Sequence, residues 1–297
     1  MEALRSTGLE PDGFLGYSAG EFACGYTDNC LTQEEALLLS YYEGESFKEA
    51  NALEGSMASV SLSWDEAMKR CPPNVFPACK NAKDSVTITG PRENVKTFLQ
   101  QLHEDGIHAQ EVQSHGIAPH QNRPNDNLFR IMGSYFEEVL TGASKSRSER
   151  WISTSISQEQ WTADHARSCS QYYLNNSKNP VLFYDALCHI PKDAAVVEIG
   201  LAPLLKPLIK RSVQSESIFS VGSRHQEGRA AGFFQCVGEL YNLGLNMNLS
   251  SILGGNTYPV SSTAPDLSQL VTWDHTVSWS TYIIPYPKVR ALRVPLH

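Results

Sequence analysis

The stretch Gly16-Tyr17-Ser18-Ala19-Gly20 constrains this chain more than any other. Gly13-Phe14-Leu15 follows a Pro11-Asp12-Gly13 turn and reads as a short buried strand, and Glu21 to Tyr26 reads as a helix. Strand, G-x-S-x-G, helix is the context that a nucleophile elbow requires. Two glycines let the backbone turn sharply. The Ser18 hydroxyl is then exposed at a helix N-terminus, where backbone amides favour developing negative charge.

The rest of the chain reads as an α/β protein with an interruption. Thr32-Gln33-Glu34-Glu35 is a capping box that opens a helix running to about Ala50. Met57 to Leu62 reads as a strand, Ser63 to Arg70 as a short helix, Val75 to Lys80 as a second strand and Ser85 to Thr89 as a third. Pro91 sits at a helix start, where its missing N–H is harmless, and Val95, Phe98, Leu99 and Leu102 follow at helical spacing. Gly106 breaks this helix, and Ile107 to Val112 is a last strand. The order βαββαβ is a ferredoxin-like split unit.

Beyond it, helices are expected at Leu128 to Leu140, in the stretch after Asn179-Pro180, at about Pro203 to Arg211 and at Arg229 to Leu243. Strands are expected at Trp151 to Ile156, Ala194 to Ile199 and Ser217 to Val221. Alternating strands and helices imply a mostly parallel sheet covered on both faces. The expected fold is therefore α/β, a mostly parallel-sheet core, residues 1–56 and 117–253, carrying a ferredoxin-like insert at 57–116. Residues 254–297 lose periodicity, become rich in Gly, Pro, Ser and Thr, and read as a surface-wrapping linker.

Composition narrows the function. The chain has 297 residues, 41% of them hydrophobic and 19% charged, enough for about two domains with a real core. A net charge of −8 argues against nucleic acid as the main partner. No apolar run is long enough to span a membrane, and the start lacks the apolar core of a signal peptide. The seven cysteines form no C-x-x-C, so neither a zinc site nor a disulfide framework is indicated, and a reducing, cytoplasmic setting is expected. No nucleotide-binding motif is present, and Lys206, Lys210 and Arg211 read as the basic end of a helix.

A serine nucleophile needs a base and an oxyanion site. His120 lies in Gly116-Ile117-Ala118-Pro119-His120, a non-periodic loop just after the insert. An imidazole there can take the Ser18 proton and return it to a leaving thiol. His115 reads as surface. The backbone N–H of Ala19, the residue after the nucleophile, is one oxyanion donor, and the second must come from another loop.

At this point the chain resembles a known family. Gly16-Tyr17-Ser18-Ala19-Gly20-Glu21 followed by Ala23-Cys24-Gly25-Tyr26 is similar to the malonyl/acetyltransferase domain of animal fatty acid synthase. Further matching stretches are Leu31 to Ala36, Arg70 to Pro73, Val86 to Pro91, Trp151 to Ile156 and Asn179 to Phe183, and Trp273-Asp274-His275 resembles the linker that follows that domain. The resemblance implies an α/β hydrolase-like parallel-sheet core with an inserted ferredoxin-like subdomain, and transfer of an acetyl- or malonyl-type group from coenzyme A to the phosphopantetheine thiol of acyl carrier protein, through a seryl ester. It implies Ser18 as nucleophile, His120 as its partner, acyl-CoA as substrate with no permanently bound cofactor or metal, and other synthase domains as further partners.

The departures lie around the acyl site. Tyr17 replaces a His before the serine, Pro119 a Phe before the histidine and Gln121 a Ser after it. The family Arg that clamps the malonyl carboxylate maps onto Glu43, which would repel malonate by about 1 to 4 kcal/mol at surface-like dielectric. The opening part of the family domain, with its glycine-rich oxyanion loop, is expected to be missing. Two alternatives stay open. One is a catalytically impaired synthase fragment acting as a structural or interaction module. The other is a serine esterase using Asp185 and His189, or Asp274 and His275.

Overall fold

The computed structural model describes residues 1–52, 55–112, 126–162, 167–213, 215–222 and 228–253. All of these except Leu253 belong to one unit, Met1–Ile252. The linker expected at 254–297 lies outside the described residues.

A short helix α1 (Glu2–Arg5) precedes the elbow, and α2 (Gly20–Thr27) leaves it. Helix α3 (Gln33–Glu49) begins where the capping box places it. Thr32 Oγ1 accepts from the Glu35 N–H at 3.1 Å, and Glu35 Oε2 accepts from the Thr32 N–H at 2.7 Å. Two otherwise orphaned amides are thereby satisfied.

The insert follows in the expected order: β1 (Gly55–Val60), α4 (Trp64–Arg70), β2 (Phe76–Ala82), β3 (Ser85–Pro91), α5 (Arg92–Glu104) and β4 (Ala109–Val112). Its four strands make one antiparallel sheet in the order β2-β3-β1-β4. Alternate residues Ala58 and Val60 on β1, and Val86 and Ile88 on β3, face α4 and α5 in one buried cluster with Ala67, Val95, Phe98 and Leu102. The opposite face of the sheet is covered as well. Ala78 and Cys79 of β2 cluster with Val181, Phe183, Leu187 and Ile209, and Tyr17 packs against them. Burial on both faces explains why β3 is buried from Ser85 to Gly90 although half its residues are polar.

Helices α6 (Asp126–Val139) and α7 (Ser170–Lys178) return to α2 and α3. Phe22, Leu39, Phe47, Leu128, Met132, Phe136, Trp151, Tyr172 and Tyr173 form their shared core. Each large side chain buried there contributes about 1.5 to 3 kcal/mol. Tyr172 and Tyr173 are fully buried and keep their hydroxyls paired, near Ser153 Oγ at 2.7 Å and Ser168 Oγ at 2.6 Å respectively.

The remaining elements are α8 (Phe183–Leu187), β5 (Val196–Glu198), α9 (Lys206–Ser212), β6 (Ile218–Ser220), α10 (Arg229–Asn242) and α11 (Ser250–Leu253). Strands β5 and β6 pair in parallel. Elsewhere among the described residues the expected parallel sheet is reduced to single bridges. Phe14 pairs with Trp151, and Cys79 of β2 pairs with Val181. The stretch Trp151 to Ile156, expected as a strand, bridges only at Trp151. Thr154 and Ser153 then take side-chain hydrogen bonds in place of a ladder.

Lys206 opens α9 instead of ending it. The N-terminus of α9 is filled by Glu198, whose carboxylate accepts from the Leu205 N–H at 2.7 Å and the Lys206 N–H at 3.0 Å. Arg211 pairs with Asp84 of the insert. No described helix is long and apolar enough to cross a membrane.

Candidate active site

Ser18 has φ +54°, a left-handed conformation that non-glycine residues rarely adopt. The chain has made the elbow with the nucleophile itself. The Gly20 N–H donates to Tyr17 O at 3.0 Å, the Glu21 N–H to Ser18 O at 3.0 Å and the Phe22 N–H to Ala19 O at 3.1 Å, so α2 starts within the turn. The Ala19 N–H donates to no group among the described residues, and Ala19 is exposed. A free amide beside a strained serine is the expected oxyanion donor.

The two elbow glycines are not equivalent. A Cβ on Gly16 would lie 2.4 Å from the Glu21 N and 2.4 Å from the Gly20 carbonyl carbon, so the close return of the chain requires glycine there. A Cβ on Gly20 would meet nothing within 4 Å. The sequence reading assigned the turn to both glycines. Sterically it rests on Gly16 and on the strain at Ser18.

Below the elbow lies a buried carboxylate. Glu21 is 0% exposed and takes four hydrogen bonds. Trp151 Nε1 donates at 3.0 Å to Oε2, and the Tyr172 hydroxyl donates to the same oxygen. The Thr154 N–H donates at 3.0 Å to Oε1. The Thr154 hydroxyl lies 3.0 Å from Oε1 and 2.9 Å from Gly16 O, sharing its proton between the helix and the strand end of the elbow. Burial raises the Glu21 pKa, and the hydrogen bonds from Tyr172 and Thr154 together with the Arg147 charge counter it. Arg147 lies over the Trp151 and Tyr172 rings, 5.2 and 5.0 Å from their centroids.

Helix α7 reaches the elbow from the other side. Asn176 Nδ2 donates to Ser18 O at 3.0 Å. One residue on, Ser177 Oγ donates to Glu43 Oε1 at 2.6 Å. Glu43 of α3 therefore stands beside the helix that holds the nucleophile's carbonyl, and burial raises its pKa.

Tyr17 links the elbow to the insert. Its hydroxyl donates to Asn81 Oδ1 at 2.9 Å, and Asn81 Nδ2 donates to Thr87 Oγ1 at 2.8 Å. Its ring meets Phe183 edge-on at 5.0 Å. Desolvation holds the phenol far above its ordinary pKa, so Tyr17 acts as a neutral strut.

His120 and Gln121 lie outside the described residues, as do His115, Asp274 and His275. Of the residues considered for an esterase, Asp185 is bound to Lys80 at 2.7 Å and His189 packs edge-on against Trp161 at 4.9 Å. Among the described residues no group of three or more His, Cys, Asp or Glu is placed to hold a metal. The seven cysteines are free thiols.

Residues 1–244 match the acyl transferase domain family. The chain belongs to that family. Similar sequences are found in fungal polyketide synthases. The highly reducing polyketide synthase sphB of Aspergillus fumigatus is 26% identical over 289 residues, covering 94% of this chain and 11% of that protein. Fusarin C synthetase of Gibberella moniliformis is 28% identical over 227 residues, covering 69% of this chain and 6% of that protein. The chain thus corresponds to a small part of much longer relatives.

Among solved structures, the acyltransferase domain from module 8 of the salinomycin polyketide synthase superposes with a TM-score of 0.70 at 18% identity, covering 84% of this chain and 59% of that one. The acyltransferase domain of the Mycobacterium tuberculosis polyketide synthase PpsC gives 0.63 at 20% identity, covering 74% and 68%. These likenesses concern the α/β fold. The resemblance to animal fatty acid synthase holds at the coarser level of an acyl transferase domain, and the relatives described here are polyketide synthases.

Within this acyl transferase domain, Tyr17, Ser18 and Ala19 form the elbow itself, and Glu43 is joined to α7 through Ser177, one residue from the Asn176 that reaches Ser18 O. Sequence reasoning missed the supports. Asn176 and Thr154 carry no local signal of their role. Glu21 was legible as a helix residue and as part of the family pattern after the serine, and not as a buried support.

Proposed function

We propose that this acyl transferase domain moves acyl groups from coenzyme A thioesters to the phosphopantetheine thiol of a carrier protein, within a synthase of the polyketide or fatty acid type. The observation that carries the reading is the left-handed Ser18 beside an Ala19 amide unengaged among the described residues, in a chain that matches the acyl transferase domain family. In the first half-reaction Ser18 Oγ attacks the thioester carbonyl, and the C–S bond breaks to release coenzyme A. His120 takes the hydroxyl proton and delivers it to the departing sulfur. The carrier thiol then gives its proton to the same histidine and attacks the seryl ester, and as the ester C–O bond breaks the histidine returns that proton to Ser18 Oγ. The Ala19 N–H holds the negative oxygen of both tetrahedral intermediates. Coenzyme A enters and leaves as substrate, so the reaction uses no resident cofactor.

Glu43 directs the choice of acyl group. A half-buried carboxylate tied to Ser177 offers no clamp for a second carboxylate, and an ionised Glu43 facing malonyl would cost about 1 to 4 kcal/mol. The expected preference is for neutral acyl groups such as acetyl over malonyl. Intact mass spectrometry after incubation with acetyl-CoA and malonyl-CoA tests both parts. An acetyl adduct that disappears in Ser18→Ala supports the reading. A malonyl preference overturns the selectivity, and the absence of any adduct on Ser18 overturns the enzyme in favour of a structural module.

A further inference from the structure

We propose that Asn176 is a positioning residue that sets the oxyanion donor through the Ser18–Ala19 peptide. The inference rests on the acyl-enzyme reading above. In a trans peptide the carbonyl of one residue and the N–H of the next lie in one plane and point in opposite directions. The carbonyl of that plane belongs to Ser18 and the N–H to Ala19. Ser18 O accepts two hydrogen bonds, from the Glu21 N–H at 3.0 Å and from Asn176 Nδ2 at 3.0 Å. The opposite edge, the Ala19 N–H, is unengaged among the described residues. Fixing the carbonyl end fixes where the N–H end aims. A hydrogen bond to the carbonyl also polarises the peptide and makes its N–H a stronger donor.

The orientation of Asn176 is forced. Ser18 O accepts only, so the amide nitrogen must face it and Oδ1 must face away. Asn176 is 4% exposed, and its Oδ1 is buried with no hydrogen-bond partner among the described residues. A buried unpaired acceptor disfavours folding. A side chain present for packing alone would carry no such atom. The amide is retained for the bond that it donates to the elbow. Helix α7 supplies the rigidity: Tyr172, Tyr173 and Ser177, on the same helix, are buried with it.

The test uses the full chain, Asn176→Ala and Asn176→Asp, each loaded with an acyl group carrying a ¹³C-labelled carbonyl. The infrared stretch of the acyl-Ser18 carbonyl reports directly on the oxyanion hydrogen bond. The expected result for Asn176→Ala is a shift of the band to higher frequency, with kcat falling about tenfold and KM unchanged. Asn176→Asp keeps the shape of the side chain but opposes Ser18 O when ionised. Its activity relative to wild type is expected to recover as pH falls and the acid regains a donor. An unshifted band in both variants overturns the proposal while leaving the acyl-enzyme intact. If Asn176→Ala does not fold, the band and pH profile of Asn176→Asp decide alone. A wild-type chain that forms no Ser18 adduct removes the underlying reading, and the proposal falls with it.

Discussion

Trp151 Nε1 donates to the carboxylate of Glu21 at 3.0 Å, across 130 residues of sequence. The other carboxylate oxygen faces the Thr154 N–H at 3.0 Å. Both partners are donors that cannot accept, so a side chain in this place must present an acceptor in both directions. Glu21→Gln keeps the volume and places its amino group against an N–H whichever way it turns. It is expected to destabilise the fold by about 2 to 4 kcal/mol. Urea denaturation measures this, and an unchanged midpoint and slope would contradict it.

The elbow glycines should separate cleanly. Gly16→Ala places a methyl 2.4 Å from backbone atoms of Gly20 and Glu21, so the turn must open. Loss of Ser18 acylation and about 3 kcal/mol or more of stability is expected. Gly20→Ala enters open space at the first position of α2 and is expected to retain both stability and acylation. Equal losses in the two variants would show that the close approach at Gly16 does not decide the geometry.

The strain at Ser18 can be measured apart from its chemistry. Ser18→Ala and Ser18→Gly both remove the hydroxyl, but only glycine adopts φ +54° without cost. Ser18→Gly is expected to be about 1 kcal/mol more stable than Ser18→Ala, less than the full strain because glycine also loses more chain entropy on folding. Thermal or urea unfolding of the pair gives the difference. The opposite order would mean that the left-handed turn carries no strain.

Glu43 gives a pH signature. Burial raises its pKa above 4.5, and the Ser177 hydroxyl opposes that rise. The folded state then holds the proton more tightly than the unfolded chain. This contribution to stability is complete below about pH 4.5 and is lost as pH rises through the raised value. Glu43→Gln cannot ionise and still accepts the Ser177 proton through its amide oxygen. The variant is therefore expected to gain melting temperature relative to wild type as pH rises above about 4.5. Parallel melting profiles across that range would contradict the assignment.

Local signals in the sequence were reliable where the physics is local. The Thr32–Glu35 box starts α3 where it was read, and the β-rich run at Ser85 lies in the strand expected for it. The serine turn was legible because strand, glycine and helix lie within a few residues of it. The strand expected from Trp151 to Ile156 failed because Ser153 and Thr154 find hydrogen bonds across the chain that outweigh β-propensity. Helix α7 was not expected. Its sequence is rich in Asn and Ser, and the Cys169 side chain does not cap its first turn, so its order comes from burial of Tyr172 and Tyr173. Asn176 could not be found for the same reason. Its partner is 158 residues away, and nothing near it in sequence marks the contact.

That separation sets a timetable for the nascent chain. Synthesis of Gly16 to Gly20 is complete long before Trp151, Thr154, Tyr172 and Asn176 exist. Contacts so distant in sequence are slow to form, because a long loop must close first. Ser18 is fully supported only when the far half of the polypeptide has been made and comes back to meet it.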